Sequence, residues 1–197
     1  MPHLDTSLLA EQIAACRGKL GNIRQHGQWF TQLVMEGYHL NFWGHPTLEM
    51  PSIRTNPHTH DLGFTSRILL GEITNVRLSA EPHPEGAFML HTVHEADGAR
   101  DVVFKSTEQR MHAYEDAVET MRAGDVYEMG LGDYHFTRCS VPTITYLKLW
   151  PDAPVDYNVL LPVGAGLNAK TVMRYVKDED MGELWARIDA MLALATL

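Results

Sequence analysis

The run FTSRILLGEITNVRLSA, residues 64–80, admits little besides extended chain. Phe64, Ser66, Ile68 and Leu70 alternate with Thr65, Arg67 and Leu69, and a period of two puts each set on one face of a strand. Gly71-Glu72 marks a tight turn, and ITNVRL supplies a second strand. The segments that follow read the same way. EPHPEG (81–86) has the composition of a loop. AFMLHTVHEADGARDVVFKS reads as a β-hairpin turning at Asp97-Gly98. AYEDAVETMRAGDVYEM is rich in helix formers, but Ala123-Gly124-Asp125 splits it and Val126-Tyr127 follows, so strand–turn–strand is the reading. In PTITYLKLW (142–150), Ile144, Tyr146 and Lys148 alternate with Thr143, Thr145 and Leu147, again as a strand.

Both ends differ in texture. Asp5 or Thr6 is placed to cap a helix through LLAEQIAACRGKL, with Leu8, Leu9, Ile13 and Leu20 near one face and Gly21 as its stop. A second helix is expected over GQWFTQLVMEG, ending near Gly37. From Tyr38 onward Pro46, Pro51 and Pro57 interrupt the chain and no helical period survives. After a Pro/Gly-rich section reaching Gly166, DEDMGELWARIDAMLALATL is expected to form a closing helix capped by Asp178 or Asp180. Its apolar face is Leu184, Ile188, Met191 and Leu192, which packs on its own molecule or, alternatively, in a homodimer contact. The expected organisation over 1–197 is one domain: a helical extension (1–37), a barrel (38–165) and a C-terminal helix (166–197). The fold class is all-β, a β-barrel or jelly roll with N- and C-terminal flanking helices.

Composition narrows the function classes. A chain of 197 residues, 45% hydrophobic, is long and apolar enough for an ordered core. The formal net charge of −9, without a Lys/Arg cluster, argues against nucleic acid as a partner. No apolar run approaches the ~20 residues of a membrane span, and MPHLDTSLLAEQ lacks the pattern of a secretory signal. Cys16 and Cys139, far apart, do not make a disulfide framework, so a reducing cytoplasm is the expected compartment. A small molecule is left as the expected partner.

Chemistry concentrates in PHTHDLGFTSRILLG. On a strand His58 and His60, at i and i+2, point to the same face, so both imidazoles can meet one ion. The candidate third ligand is His135, after the glycine-spaced turn in GDVYEMGLGDYH. Here the sequence resembles the cupin superfamily. Its first motif, G-x5-H-x-H-x(3,4)-E-x6-G, is matched by His58, His60 and Gly71. Its second, G-x5-P-x-G-x2-H-x3-N, is matched by Gly124, Gly132 and His135, with Gly130 at the proline position. The resemblance spans roughly residues 57–149, about half the chain. Ser52 replaces the leading glycine, Phe64 or Thr65 the ligating glutamate, and Cys139 the asparagine.

The resemblance implies a cupin-type barrel and a three-histidine metal site. Among three-histidine cupins, thiol dioxygenases and diketone-cleaving dioxygenases use ferrous iron, which makes Fe(II) the leading candidate; the Ser-x-His-x-Tyr signature of the former is absent here. Imidazole ligands by themselves also suit zinc, copper and nickel, and zinc, nickel or manganese are the alternative ions expected. Three neutral imidazoles leave two or three open positions on an octahedral ion and leave its 2+ charge undiminished, which favours an anionic or bidentate substrate. The expected activity is that of an iron(II) oxygenase acting on a small polar molecule. A metal-dependent lyase or isomerase and a non-catalytic binding cupin are the alternatives.

Around the histidines, Ser66, Cys139 and Tyr127 are the candidate catalytic groups. Ser66 shares the parity of His58, His60 and Phe64, and Phe64 would form an apolar cavity wall. Cys139 shares the parity of His135, as a substrate-facing thiol or a small buried residue. Tyr134 and Thr145 are further polar candidates, and Arg67 has outward parity. Asp61 directly follows His60 and points away, as a turn residue rather than a ligand; Glu72 and Glu128 read as surface. His91 and His94 lie on opposite strand faces and cannot converge, and His83 sits in an exposed loop.

Overall fold

The structure, a computed structural model, describes residues 6–17, 19, 22–26, 30–44, 52–95, 102–151, 155–165, 173–175 and 181–195. The predicted turn at Asp97-Gly98, the caps at Asp5, Asp178 and Asp180, and Leu20, Gly21, Pro46 and Pro51 lie outside the described residues.

Helix α1 (Thr6–Cys16) precedes strands β1 (Ile23–His26), β2 (Phe30–Met35), β3 (Tyr38–Trp43), β4 (Ile53–Arg54), β5 (Phe64–Leu70) and β6 (Glu72–Pro82). They are followed by β7 (Phe88–Glu95), β8 (Val102–Arg122), β9 (Val126–Met129), β10 (Tyr134–Cys139), β11 (Thr143–Leu149), β12 (Asn158–Pro162), β13 (Met173–Tyr175) and helix α2 (Met181–Leu194). The strands form two curled antiparallel sheets, ordered β13-β1-β2-β3-β11-β5-β9 and β12-β7-β8-β6-β10-β4. The fold is all-β, two curled antiparallel sheets arranged as a jelly-roll barrel with flanking helices. Among the described residues no helix is long and apolar enough to cross a membrane.

Glycine corners carry the chain between sheets. Gly71, at φ 75°, ends β5 in one sheet and starts β6 in the other. A Cβ there would meet the Pro142 carbonyl oxygen at 2.3 Å, so the position takes glycine both for its backbone angle and for the close approach. Gly124, at φ 96°, makes the reverse crossing from β8 to β9, its N–H donating to the Ile68 carbonyl at 2.9 Å. The expected strand–turn–strand reading of 113–129 holds, although β9 pairs with β5 rather than with β8.

One predicted element is corrected. GQWFTQLVMEG was expected to be helical, but Phe30–Met35 is strand β2, in a hairpin with β3 that turns at Gly37 (φ 70°). The reason lies in its two neighbours. Leu33 and Met35 face outward into a core with Leu40, Phe42, Ile144 and Ile188, where α1 and α2 cover the sheet. Phe30 and Gln32 face the barrel interior. A strand buried on both faces loses the apolar/polar alternation by which strands are recognised. In α1, Leu9, Ile13 and Cys16 are buried, while Leu8, expected on that face, is exposed. In α2, Leu184, Ile188 and Met191 are buried as expected, against the seven-stranded sheet.

Candidate metal centre

The segment carrying His58 is inserted between two strands. His58 N–H donates to the His135 carbonyl at 2.9 Å and His135 N–H to the His58 carbonyl at 3.0 Å, so the two are an antiparallel bridge pair. Directly opposed residues in such a pair send their side chains to the same face. On its other side the segment pairs with Val159 of β12, with Thr59 N–H donating to the Asn158 carbonyl at 2.9 Å and Leu160 N–H to that of Pro57 at 2.8 Å. Residues 57–59 therefore link β12, at one edge of the six-stranded sheet, to β10, next to β4 at the other. This closure is what brings histidines 77 positions apart together, and the i, i+2 relation adds His60.

The three ring centroids are 4.5 to 5.0 Å apart, and one nitrogen from each ring lies within 4.8 Å of the others. His58 and His135 are buried and His60 half-buried. His58 Nδ1 stands 2.8 Å from the Asn56 carbonyl oxygen. A carbonyl only accepts, so Nδ1 carries the proton and Nε2 keeps its lone pair, the usual orienting arrangement for a ligand histidine. Burial lowers the His58 pKa to about 4, against a weaker opposing effect of the Asn56 hydrogen bond. Burial, then the proximity of His58, holds His135 well below the ordinary histidine range, with the Asp133 carbonyl acting weakly the other way. Both rings are neutral donors near pH 7. His135 Nδ1 is buried with no hydrogen-bond partner among the described residues. Three imidazoles that each offer a nitrogen within 4.8 Å of the other two, on a barrel wall, fit a divalent ion.

The histidines open onto a cavity of about 180 Å³ between the two sheets. Phe64, where the superfamily pattern has glutamate, meets His60 edge-on with centroids 4.8 Å apart and lines the cavity. Tyr157 lies parallel to the His60 ring at 6.5 Å. Tyr127 also lines the cavity; burial raises its phenol pKa, and contacts with Ser66 and Asn75 lower it in part. Ser66 is fully buried opposite Tyr127 in the β5–β9 register and lies behind it, not on the cavity surface. Cys139 is packed with Trp43, Ile68, Ile73 and Met121, its thiol 3.1 Å from the Val141 carbonyl and away from the cavity. Its burial raises the thiol pKa. The structure thus places Tyr127 on the cavity wall that the histidines share, with Phe64 against its ring at 6.1 Å, while Ser66 lies behind Tyr127 and Cys139 lies away from the cavity.

Asp61 lies at the exposed edge of the cavity. Glu72 pairs with Arg122 at 2.8 Å, and exposed Glu128 stands near Thr65. Thr145 is buried and accepts from the Trp43 indole at 3.4 Å. Arg67 and Tyr134 are half-buried and do not line the cavity. His91 is buried and His94 exposed, as their spacing requires, while His83 stacks on His112 at 4.2 Å, half-buried. Sequence reasoning missed Arg24, Gln32, His39, Asn41, Trp43 and Tyr157, all on the cavity wall. The available signal was Gln32 and Asn41, single amides inside apolar runs, where burial demands a polar neighbour.

No protein-family model matches the chain, and no curated protein is similar to it at a significant level. Solved structures that align with it include a hydroquinone 1,2-dioxygenase in complex with Cd2+ and 4-hydroxybenzonitrile (7% identity, TM-score 0.32, 60% of this chain and 61% of that one). An oxalate oxidase aligns at 11% identity and TM-score 0.32 over 82% of this chain and 63% of the other. The L-ribose isomerase of Cellulomonas parahominis aligns at 15% identity and TM-score 0.29 over 78% and 60%. The chain thus spans about three-fifths of the length of these structures. Likeness at this level assigns neither reaction nor substrate.

Proposed function

We propose that this chain is a metal-dependent enzyme in which His58, His60 and His135 hold one divalent ion, with ferrous iron the leading candidate, and that it oxygenates a small polar molecule. The observation that carries the reading is the His58–His135 bridge pair, which with His60 gathers three ring nitrogens on the wall of the cavity. Ferrous iron, when bound, supplies open positions for substrate and O₂ and the electrons that activate them. Phe64, Trp43 and Leu147 make the surrounding wall apolar and limit the water that enters. Tyr127, with its phenol pKa raised by burial, keeps its proton and offers an O–H to substrate, and Ser66 positions that phenol.

The test is oxygen consumption by anaerobically purified protein reconstituted with Fe(II), across a panel of small hydroxy and keto acids. Substrate-dependent O₂ uptake that disappears in His135→Ala supports the oxygenase. Bound zinc or nickel with substrate turnover and no O₂ uptake moves the assignment to a lyase or isomerase, in which the ion polarises a carbonyl. Protein that takes up no metal, and whose ligand binding survives His135→Ala, is a binding module and contradicts the proposal.

A further inference from the structure

The cavity has a second polar wall, opposite in chemistry to the first. Arg24 on β1 is directly opposed to Gln32 on β2, and Gln32 to Asn41 on β3. Opposed residues share a face, so the three side chains form one row across adjacent strands, and all three line the cavity that the histidines line. Gln32 and Asn41 are buried, at 7% and 5% exposure, and Gln32 Nε2 donates to Asn41 Oδ1 at 2.9 Å. Each Gln or Asn amide carries two N–H donors, so this bond leaves further donors in the pair. His39, two residues before Asn41, shares its face and the cavity wall. Its pKa is lowered to about 4, first by burial and then by the Arg24 charge, so it is neutral beside a cation at pH 7.

Among the described residues of the cavity wall, Arg24 is the one Arg or Lys and Asp61 the one Asp or Glu. Asp61 is exposed at the bend after His60, whereas Arg24 is half-buried in the strand row. A row of N–H donors ending in a guanidinium is a recognition surface for a carboxylate with a neighbouring oxygen, since guanidinium geometry matches two carboxylate oxygens. The volume of about 180 Å³ holds about six waters at ~30 Å³ each, which limits the occupant to a compact molecule.

We infer that the cavity takes a small carboxylate, its anionic group on Arg24 and its polar substituent on the Gln32–Asn41 pair, with the opposite end directed at the three histidines. The assignment of the reacting end rests on the preceding reading; the assignment of the carboxylate end rests on the strand row alone.

The experiment compares small acids with their own primary amides (glycolate with glycolamide, lactate with lactamide, benzoate with benzamide), bound to Co(II)-loaded and to chelator-treated full-length protein. Binding is followed through tryptophan fluorescence, with Trp43 in the cavity wall as reporter. At least one acid is expected to bind about tenfold or more tightly over its amide, the range of a charge-assisted hydrogen bond. Arg24→Gln is expected to abolish that preference at unchanged metal content, and Arg24→Lys to restore part of it. Equal binding of acids and amides, or an acid preference that survives Arg24→Gln, overturns the inference. An acid preference that Arg24→Gln abolishes in protein taking up no metal supports the carboxylate site and contradicts the metal reading, so the two fail separately.

Discussion

The two walls of the cavity are built from the same strand geometry and do opposite chemistry. On the six-stranded side, burial keeps the His58 and His135 imidazoles unprotonated, and with His60 they bring three ring nitrogens together, the property a cation needs. On the seven-stranded side, burial is matched by a guanidinium and amides that present N–H groups, the property an anion needs. The outer faces also differ. The seven-stranded sheet is covered by α1 and α2 and so is buried on both faces, whereas the long β8 of the other sheet exposes Tyr114 and Val118. Polarity inside a barrel is therefore set wall by wall, and a covered sheet can hold polar residues on its inner face because the helices outside supply its hydrophobic core.

The largest effect is expected where the walls are joined. Gly71→Ala puts a Cβ 2.3 Å from the Pro142 carbonyl oxygen at φ 75°. With the left-handed penalty added to a backbone clash, unfolding free energy should fall by ~4 kcal/mol or more, read by urea denaturation. A drop below 1 kcal/mol (order of magnitude) would mean the corner relaxes and the walls are less rigidly related than they look.

Acid should act next, and on the histidine wall. His58 has a pKa of about 4 in the folded chain against 6.5 unfolded. The folded value is depressed, so this contribution to stability is complete above pH 6.5 and is lost as pH falls through 4, since the unfolded chain binds the proton first. The loss is about 3 kcal/mol, and His39 on the other wall shifts in the same direction. Denaturation of chelator-treated protein at several pH values in that window measures it, and a flat profile would show that the histidines are already solvated.

The smallest effect belongs to the amide wall. Gln32→Leu leaves Asn41 Oδ1 without its donor and should cost about 1–2 kcal/mol. A neutral or stabilising outcome would indicate that water already serves the row.

The histidine wall was legible in two pieces, His58-x-His60 from its i, i+2 spacing and His135 from the glycine-spaced turn before it, and the resemblance to the two superfamily motifs joined them across 77 positions. All three glycines of the pattern, Gly71, Gly124 and Gly132, adopt positive φ in the structure. The amide wall was not legible, because its row is defined by register between β1, β2 and β3, and β2 itself reads as helix when both faces are buried. Ser66 and Cys139 mark the limit of parity reasoning. Both have inward side chains and full burial, but parity does not say whether inward means the cavity or the packed layer beside it.

Titration of metal-free protein with Co(II), followed by visible absorption, tests the convergence of the three imidazoles most directly. A ligand-field band saturating at one ion per chain, and lost in each of His58→Ala, His60→Ala and His135→Ala, is the predicted result. A band that persists in His135→Ala, or no saturable band in the unmodified protein, would contradict it.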